Sequence, residues 1–452
     1  MSITLVYGLA IAGQAVARAL FARGENIILA DDSVSDAHQS LARELGAQFV
    51  GSLETTELRE IVKGVDRVVP APGLPETHRV ITVARQQNKP IFSEIELAYQ
   101  FEQLKSKPRE MVAVTGTDGK TTTTLMATEI LNTAGFRSMA VGNTETPLIA
   151  ALDSDAQVFA VECSSFRLAY TQSFRTKASV WLNLAPDHLD WHVSMDSYTS
   201  AKAQIWAHAL DSDVAVVPFG NELIGEIAHR SLARVVSFGQ QSGDYHARDG
   251  VLTTPDGPIM NAREMRRSLP HDLTNALAAA AITIESGLAT RQDVAKALAN
   301  FVNAPHRIEL VAQANGVSWY NDSKATSPHA ANVALRSFDS IVLIAGGKNK
   351  GLDLNEMASQ PGRMRAVVAI GNSATEIERA FFDICEVRRA ESMHDAVATA
   401  NDLAKTGDVV LLSPGCTSYD WYANYAERGQ DFSREVNALI NISKTTSKGD
   451  KS

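Results

Sequence analysis

The chain has 452 residues, of which 45% are hydrophobic and 21% charged, with a formal net charge of −10 at pH 7. This composition describes about three globular domains of roughly 150 residues each and excludes a disordered, fibrous or collagen-like chain. The acidic balance argues against nucleic acid as a partner, whereas small anionic ligands would need local clusters of Lys and Arg. No apolar run reaches about 18 residues, so no membrane span is expected. Residues 1–6 enter a strand-like run directly, without a basic flank or a small-residue cleavage site. The three cysteines, Cys163, Cys385 and Cys416, are too few and too dispersed for a disulfide scaffold or a zinc site. A cytoplasmic location is the expectation.

In chain order, residues 3–7, 26–30, 66–69 and 90–92 read as strands and residues 15–23 as a helix, an alternation that predicts a parallel α/β sheet. Gly8-Leu9-Ala10-Ile11-Ala12-Gly13 forms the first strand-to-helix turn, with Asp31 and Asp32 after the second strand. Ala10 occupies the place of the second glycine of a dinucleotide fingerprint, so NAD is not expected; the turn is either a tight strand-helix connection or a site for another nucleotide-like group. Polar, proline-bearing residues 105–110 read as a linker.

Residues 111–114 read as a strand and 121–134 as a helix, and between them lies Gly116-Thr117-Asp118-Gly119-Lys120-Thr121. Glycines let backbone N–H groups approach an anion, the helix N-terminus adds partial positive charge, and Lys120 adds a full one. Thr121 stands where a phosphate loop places a Mg²⁺-binding hydroxyl, although Val114 takes the position of that pattern's first glycine. Glu162 ends the strand-like run 158–161, at the sheet edge where ligands bind; by itself it is a solvated strand end or, beside a nucleotide loop, a metal ligand. Asp187 and His188 follow residues 180–184, whose alternation suggests a half-buried strand, and His188 could meet a metal, a phosphate or simply its own loop. Lys202, on the helix-like segment 197–209, reads in isolation as a solvated lysine. A helix at 292–301 precedes a junction near Asn303-Ala304-Pro305. Beyond it, apolar runs at 340–345, 366–370 and 409–412, separated by helix-like stretches such as 392–404, form a third α/β unit. Residues 443–452 are Ser-, Thr- and Lys-rich and predict a disordered tail.

Six stretches in order, residues 116–122, Glu162-Cys-Ser-Ser-Phe166, Asp187-His-Leu-Asp190, Pro305-His-Arg307, Asn321-Asp-Ser-Lys-Ala-Thr326 and Leu411-Leu-Ser-Pro-Gly-Cys416, resemble the Mur ligases of peptidoglycan synthesis. The resemblance is to the D-glutamate-adding (MurD) type. It implies an α/β protein of three domains: a Rossmann-like UDP-substrate domain (1–104), a P-loop-type ATPase domain (105–304) and a Rossmann-like amino-acid domain (305–442). It implies ATP-dependent amide formation through an acyl phosphate, with ATP, UDP-N-acetylmuramoyl-L-alanine and glutamate as small-molecule partners, two Mg²⁺ sites, and a monomer.

By the same resemblance Gly116, Thr117, Asp118, Gly119, Lys120, Thr121, Thr122, Asn275, Arg307 and Asp322 serve ATP, the last two from beyond the domain junction, so domain closure is expected. Lys120, Glu162, His188 and Lys202 are the catalytic set. Thr121, Glu162, His188 and Lys202 hold metal, with Lys202 N-carboxylated to a carbamate, which replaces the solvated reading. Ile11, Ala12, Pro72, Gly73, Asn143, Ser164 and His188 meet the nucleotide-sugar substrate, and Lys324, Thr326, Lys350, Ser418 and Tyr425 the glutamate; His306 either joins the ATP side or packs the junction. The chain departs from the pattern at Ala12, Asp32-Ser33 and Ala71 near the UDP group, at Asp272 near adenine, at Arg167 where Gln is usual, and at Gly415-Cys416-Thr417 beside the glutamate pocket. A ligase adding L-glutamate or a diamino acid, a folate polyglutamate synthetase and a non-catalytic UDP-muramoyl-peptide sensor are the alternatives. The N-terminal α/β domain speaks against the synthetase, and the presence of Lys120, Glu162, His188 and Lys202 against the sensor.

Overall fold

The structure, a computed structural model, describes the backbone of residues 2–449 and the side chains of residues 2–441. Three separate sheets carry it. The first is parallel, with β1 (Ile3–Tyr7), β2 (Asn26–Asp31), β3 (Gln48–Gly51) and β4 (Arg67–Pro70) in the order β3-β2-β1-β4. The run at 90–92 contributes only a single bridge, Ile91 to Val68, because Pro90 accepts a hydrogen bond through its carbonyl but has no N–H to extend a ladder.

The second sheet comprises β5 (Glu110–Thr115), β6 (Ser138–Gly142), β7 (Val158–Glu162), β8 (Ala178–Trp181), β9 (Val214–Pro218), β10 (Arg234–Gly239), β11 (Tyr245–His246), β12 (Val251–Thr254) and β13 (Gly257–Asn261). Its order is β13-β12-β11-β10-β9-β8-β5-β7-β6, with antiparallel pairing only at β11-β12 and β12-β13. Strand β5 lies between β7 and β8, so the chain order reverses beside it, and the crevice at the carboxyl ends of these three strands is the place where open α/β sheets bind ligands. All four residues of β8 are buried, which corrects the half-buried expectation: the strand sits between β5 and β9, covered on both faces. The expected helix at 197–209 is the shorter Met195–Ala203 followed by a 3₁₀ turn, Gln204–Trp206.

The third sheet has β14 (Glu309–Ala314), β15 (Val317–Asn321), β16 (Ile341–Gly346), β17 (Met364–Ile370), β18 (Glu386–Ala390) and β19 (Val409–Leu412), ordered β14-β15-β19-β16-β17-β18 and parallel except at β14-β15. The final helix, Tyr425–Gly449, takes in residues 443–449, where composition predicts a disordered tail; no proline interrupts the segment, so the helix propagates from its packed first turns. Residues 450–452 of that predicted tail lie outside the described residues.

The chain divides into two compact units between Phe301 and Val302. In the first unit, apolar residues of the first sheet such as Val6 and Leu29 belong to the same core as Phe159 and Trp181 of the second. The polar segment 105–110, expected as a linker, is pinned rather than loose. Arg109 grips the buried Glu102 carboxylate through Nε (2.8 Å) and Nη2 (2.5 Å) and donates to the Leu152 carbonyl (2.7 Å), which Lys105 also reaches (3.1 Å). A second buried carboxylate, Glu96, accepts from the backbone N–H groups of Gln172, Ser173 and Phe174 at 2.9–3.1 Å and from the Ser173 hydroxyl. Glu96→Ala would strand these donors in a buried place, and a loss on the order of 3 kcal/mol in urea unfolding is expected. In the second unit Trp319, Ile344, Val368, Leu412 and Phe432 share one core. Among the described residues, no helix is long and apolar enough to cross a membrane.

Candidate active site

Gly119 caps the helix Lys120–Thr133 at φ +80°, and a Cβ there would stand 2.5 Å from Asn275 Oδ1. Glycine is therefore required both by the backbone torsion and by the close approach of Asn275, which the structure brings against the loop from the helix Pro270–Glu285. The loop is also held from outside. Asn183 Oδ1 accepts from the N–H groups of Thr117 (3.0 Å) and Asp118 (2.9 Å), and its amide donates to the Asp118 carbonyl (3.1 Å). The Thr117 hydroxyl meets the Tyr198 hydroxyl at 3.1 Å. Thr121 and Thr122 occupy the first helical turn, Thr122 buried against the sheet.

Two lysines converge on one oxygen. Lys120 Nζ donates to the Gly116 and Thr117 carbonyls (2.9 and 2.7 Å), and Lys202 Nζ donates to the Gly116 carbonyl at 2.7 Å. Lys202 is fully buried and lies 4.4 Å above the Tyr198 ring. Its burial, and next the Lys120 charge, hold its ammonium pKa well below the ordinary lysine value. The solvated-face reading of Lys202 is thus overturned: the helix turns it inward.

Glu162, at the end of β7, is buried; its Oε1 accepts from Asn143 Nδ2 at 3.0 Å, while Oε2 is buried without a hydrogen-bond partner among the described residues. Arg167 Nη1 donates to Asn143 Oδ1 at 2.6 Å, and Arg167 Nε faces Glu94 Oε2 at 3.4 Å. Glu94 Oε1 in turn accepts from the Ile149 N–H at 2.6 Å, so a polar chain crosses the first unit from Glu94 to Glu162. Burial pushes the Glu94 carboxyl up against the pull of Arg167. The Ser164 hydroxyl caps the short helix Ser165–Leu168, accepting from the Arg167 N–H. An orphaned, buried carboxylate oxygen near a helix whose first turn carries Thr121 suits a hard divalent cation. Among the described residues no group of three His, Cys, Asp or Glu side chains is gathered.

His188 adopts φ +56°, with Nε2 3.3 Å from Asp187 Oδ2 and its ring edge-on to Phe166 at 4.7 Å. The same turn is tied to the first sheet, because Trp191 Nε1 donates to the Pro72 carbonyl at 2.9 Å and Val193 N–H to Glu76 Oε1 at 2.8 Å. Pro72 and the exposed Gly73 therefore continue the crevice toward the first loop. There Ile11 is exposed but Ala12 is buried, so of that expected pair only Ile11 presents its side chain. Asp31 pins the loop by accepting from the Leu9 N–H (2.7 Å), and Asp32 accepts from Tyr7 (2.8 Å) and Arg79 (2.7 Å). Asp272 is likewise engaged, by Arg267 at 2.7 and 2.6 Å.

Beside this turn His192 is buried, its Nε2 2.9 Å from the Ser165 hydroxyl and its Nδ1 3.7 Å from Glu76. Burial lowers its pKa to about 4. The unfolded chain takes up this proton near pH 6.5 and the folded one only near 4, so native stability falls as pH drops through that window. The midpoint of thermal unfolding in His192→Gln is expected to fall less steeply between those pH values than in the wild type.

In the second unit, Asp322 follows β15 and is turned inward: Oδ1 accepts from the Ile308 N–H (3.2 Å) and Oδ2 from the Ser413 hydroxyl (2.8 Å). Through these bonds it fixes the segment bearing Arg307, whose neighbours His306 and Ile308 have φ +63° and +48°. His306 Nδ1 lies 3.0 Å from Asn321 Nδ2, so His306 packs inside this unit. Lys324 Nζ sits 3.8 Å over the Tyr425 ring. Arg428, buried one turn after Tyr425, donates to the Ser323 hydroxyl (2.9 Å) and carbonyl (2.8 Å) and twice to the Cys416 carbonyl (3.1 Å), clasping the loops after β15 and β19. Ser418 is buried on the second of these loops; Thr326 is partly exposed, and Lys350 is exposed after β16.

Sequence reading missed Asn183, Tyr198, Glu94 and Arg428. Two had a signal: Tyr198 precedes Lys202 by one helical turn, and Arg428 follows Tyr425 by one, so each shares a face with an expected residue. Asn183 was hidden in the run read as a strand.

The model of the Mur ligase middle domain matches residues 114–283, and that of the Mur ligase glutamate ligase domain matches residues 306–416. The UDP-N-acetylmuramoylalanine–D-glutamate ligase of Geobacter metallireducens is 36% identical over 446 residues, covering 96% of this chain and 97% of that protein. The chain belongs to the Mur ligase family. The enzyme of the same name from Frankia casuarinae is 38% identical over 455 residues, 96% of this chain and 93% of its own. Among solved structures, MurF ligase from Thermotoga maritima in complex with ADP superposes with a TM-score of 0.61 at 17% identity, over 92% of this chain and 96% of that one, and shares the fold. The three sheets of this Mur ligase are thus those of a three-domain α/β architecture.

Proposed function

We propose that the protein is an ATP-dependent ligase that joins D-glutamate to UDP-N-acetylmuramoyl-L-alanine in peptidoglycan precursor synthesis. The observation that carries this reading is the convergence of Lys120 and Lys202 on the Gly116 carbonyl, in the same sheet-edge crevice as the orphaned Glu162 oxygen. Similarity to D-glutamate ligases over nearly the whole chain supports it.

A carboxylate is a poor electrophile, and transfer of the ATP γ-phosphoryl to the substrate carboxylate gives an acyl phosphate with a competent leaving group. Negative charge spreads over the transferring oxygens, so Lys120 and the N–H groups of the loop are placed to stabilise it. Thr121 and Glu162 would hold Mg²⁺, which when bound would supply electrostatic neutralisation of the phosphates. Asn275 and Asn183 keep the loop in shape, and Arg307 is assigned to the nucleotide. The amine of glutamate then attacks the acyl carbon, expelling phosphate. Lys324 and Lys350 face the glutamate carboxylates with Thr326, Ser418 and Tyr425, which answers the need for local positive charge in an acidic protein.

Lys202 is the site of carbamate formation: its neutral amine adds to the carbon of CO₂ and releases one proton. The lowered pKa supports this, since only the neutral amine is nucleophilic. The carbamate and His188 would hold a second Mg²⁺. Residues 1–104 take the UDP moiety, 105–304 ATP and 305–442 glutamate, in a monomeric cytoplasmic enzyme.

Phosphate release measured with ATP and UDP-N-acetylmuramoyl-L-alanine, across D-glutamate, L-glutamate, L-lysine and meso-diaminopimelate, tests the proposal. Release dependent on D-glutamate is the expected result. Release with L-glutamate alone would reassign the stereochemistry, and release indifferent to every amino acid would remove the ligase reading.

A further inference from the structure

Arg167 is buried between Glu94 and Asn143, donating to a carboxylate on one side and to an amide oxygen on the other. A guanidinium only donates, and an ionised carboxylate only accepts. The Asn143 amide, caught between Arg167 and Glu162, is therefore held at both ends in one orientation, oxygen to Arg167 and nitrogen to Glu162. That assignment occupies Glu162 Oε1 and leaves Oε2 without a partner. Asn143 is otherwise exposed, so nothing else among its hydrogen bonds restrains its side chain from turning to solvent. The guanidinium is itself anchored on Glu94, whose other oxygen is fixed by the Ile149 N–H. A glutamine at this position could donate to Asn143 but could not form that ion pair.

We propose that Arg167 is a positioning residue which, through Asn143, orients Glu162 so that its Oε2 is the oxygen available to a divalent cation. The inference rests on the reading of Glu162 as a metal ligand. Arg167 touches neither cation nor nucleotide in this role; it acts through the amide.

The test measures Mn²⁺ binding to the full chain by electron paramagnetic resonance in the presence of ADP, a readout independent of turnover. Removing Arg167 alone would leave Glu94 as an unpaired buried charge, and removing Glu94 alone would do the same to Arg167, so Arg167→Met and Arg167→Gln are each combined with Glu94→Gln and compared with the wild type and with one another. The Met double variant should bind Mn²⁺ about tenfold more weakly than the wild type, the scale for groups that orient a metal ligand. The Gln double variant, which keeps a donor for Asn143, should recover most of that loss, although both unfold at similar temperatures. Equal Mn²⁺ binding by the Met and Gln double variants would overturn the inference while leaving the ligase reading intact. Absence of Mn²⁺ binding in the wild type would overturn the reading of Glu162, and the inference with it.

Discussion

Lys120→Ala is expected to lower D-glutamate-dependent phosphate release by about a thousandfold, the scale on which a pre-placed charged donor stabilises a developing anion. The Lys120 ammonium is positioned by its own loop, through the Gly116 and Thr117 carbonyls, and no carboxylate contact is among its hydrogen bonds. It can exchange those carbonyls for phosphate oxygens without breaking an ion pair. Because charge on the transferring phosphoryl grows toward the transition state, the loss should appear mainly in kcat, with a smaller change in KM for ATP. Lys120→Arg should not restore the rate, since a planar guanidinium cannot occupy the compact position of an ammonium beneath two carbonyls. Steady-state phosphate release at saturating substrates checks this; a loss of less than about tenfold would remove Lys120 from the role assigned to it.

The second large effect separates activity from stability. Lys202→Ala is expected to lower turnover by at least about 100-fold, and added formate or acetate to restore part of it, by supplying the carboxylate that the carbamate would have provided. Lys202→Met should be equally inactive yet unfold at the same or a higher urea concentration. The physical reason is that Lys202 is fully buried near a second lysine, which penalises its charged form, so folding forfeits the solvation of the ammonium and leaves the Gly116 carbonyl as hydrogen-bond acceptor in return. An apolar side chain of similar length keeps the packing against Tyr198 and removes that burden. A marked loss of stability in Lys202→Met would overturn the account of its burial, and failure of any short carboxylate to restore Lys202→Ala would count against a carbamate there.

Much of the site was legible as local pattern. The turn at Gly116 to Thr121 and the carboxylate of Glu162 at a strand end follow from short-range rules of glycine torsion and strand polarity, and the structure places both in one crevice. Lys202 was legible only through the order of several motifs, because a single lysine in a helix carries no sign of which face is buried. For Asp322 the motif was evident, but the bonds its carboxylate makes to Ser413 and the Ile308 N–H depend on where distant segments come to lie. The polar segment 105–110 read as a linker because charge and proline mark loops, and the buried Glu102 that grips Arg109 could not be inferred from spacing.

The sequence by itself determined that the protein is an α/β chain with three alternating regions, a glycine-turned anion loop and a set of ordered motifs, since periodicity and torsional preference are properties of neighbouring residues. Only the tertiary structure decided that Lys120 and Lys202 meet at one carbonyl, that Arg167 reaches Glu162 through Asn143, and that β8 is buried on both faces. Those contacts depend on which strands pair with which. Placing β5 between β7 and β8 brings the ends of distant segments into one crevice, and no local preference encodes that order.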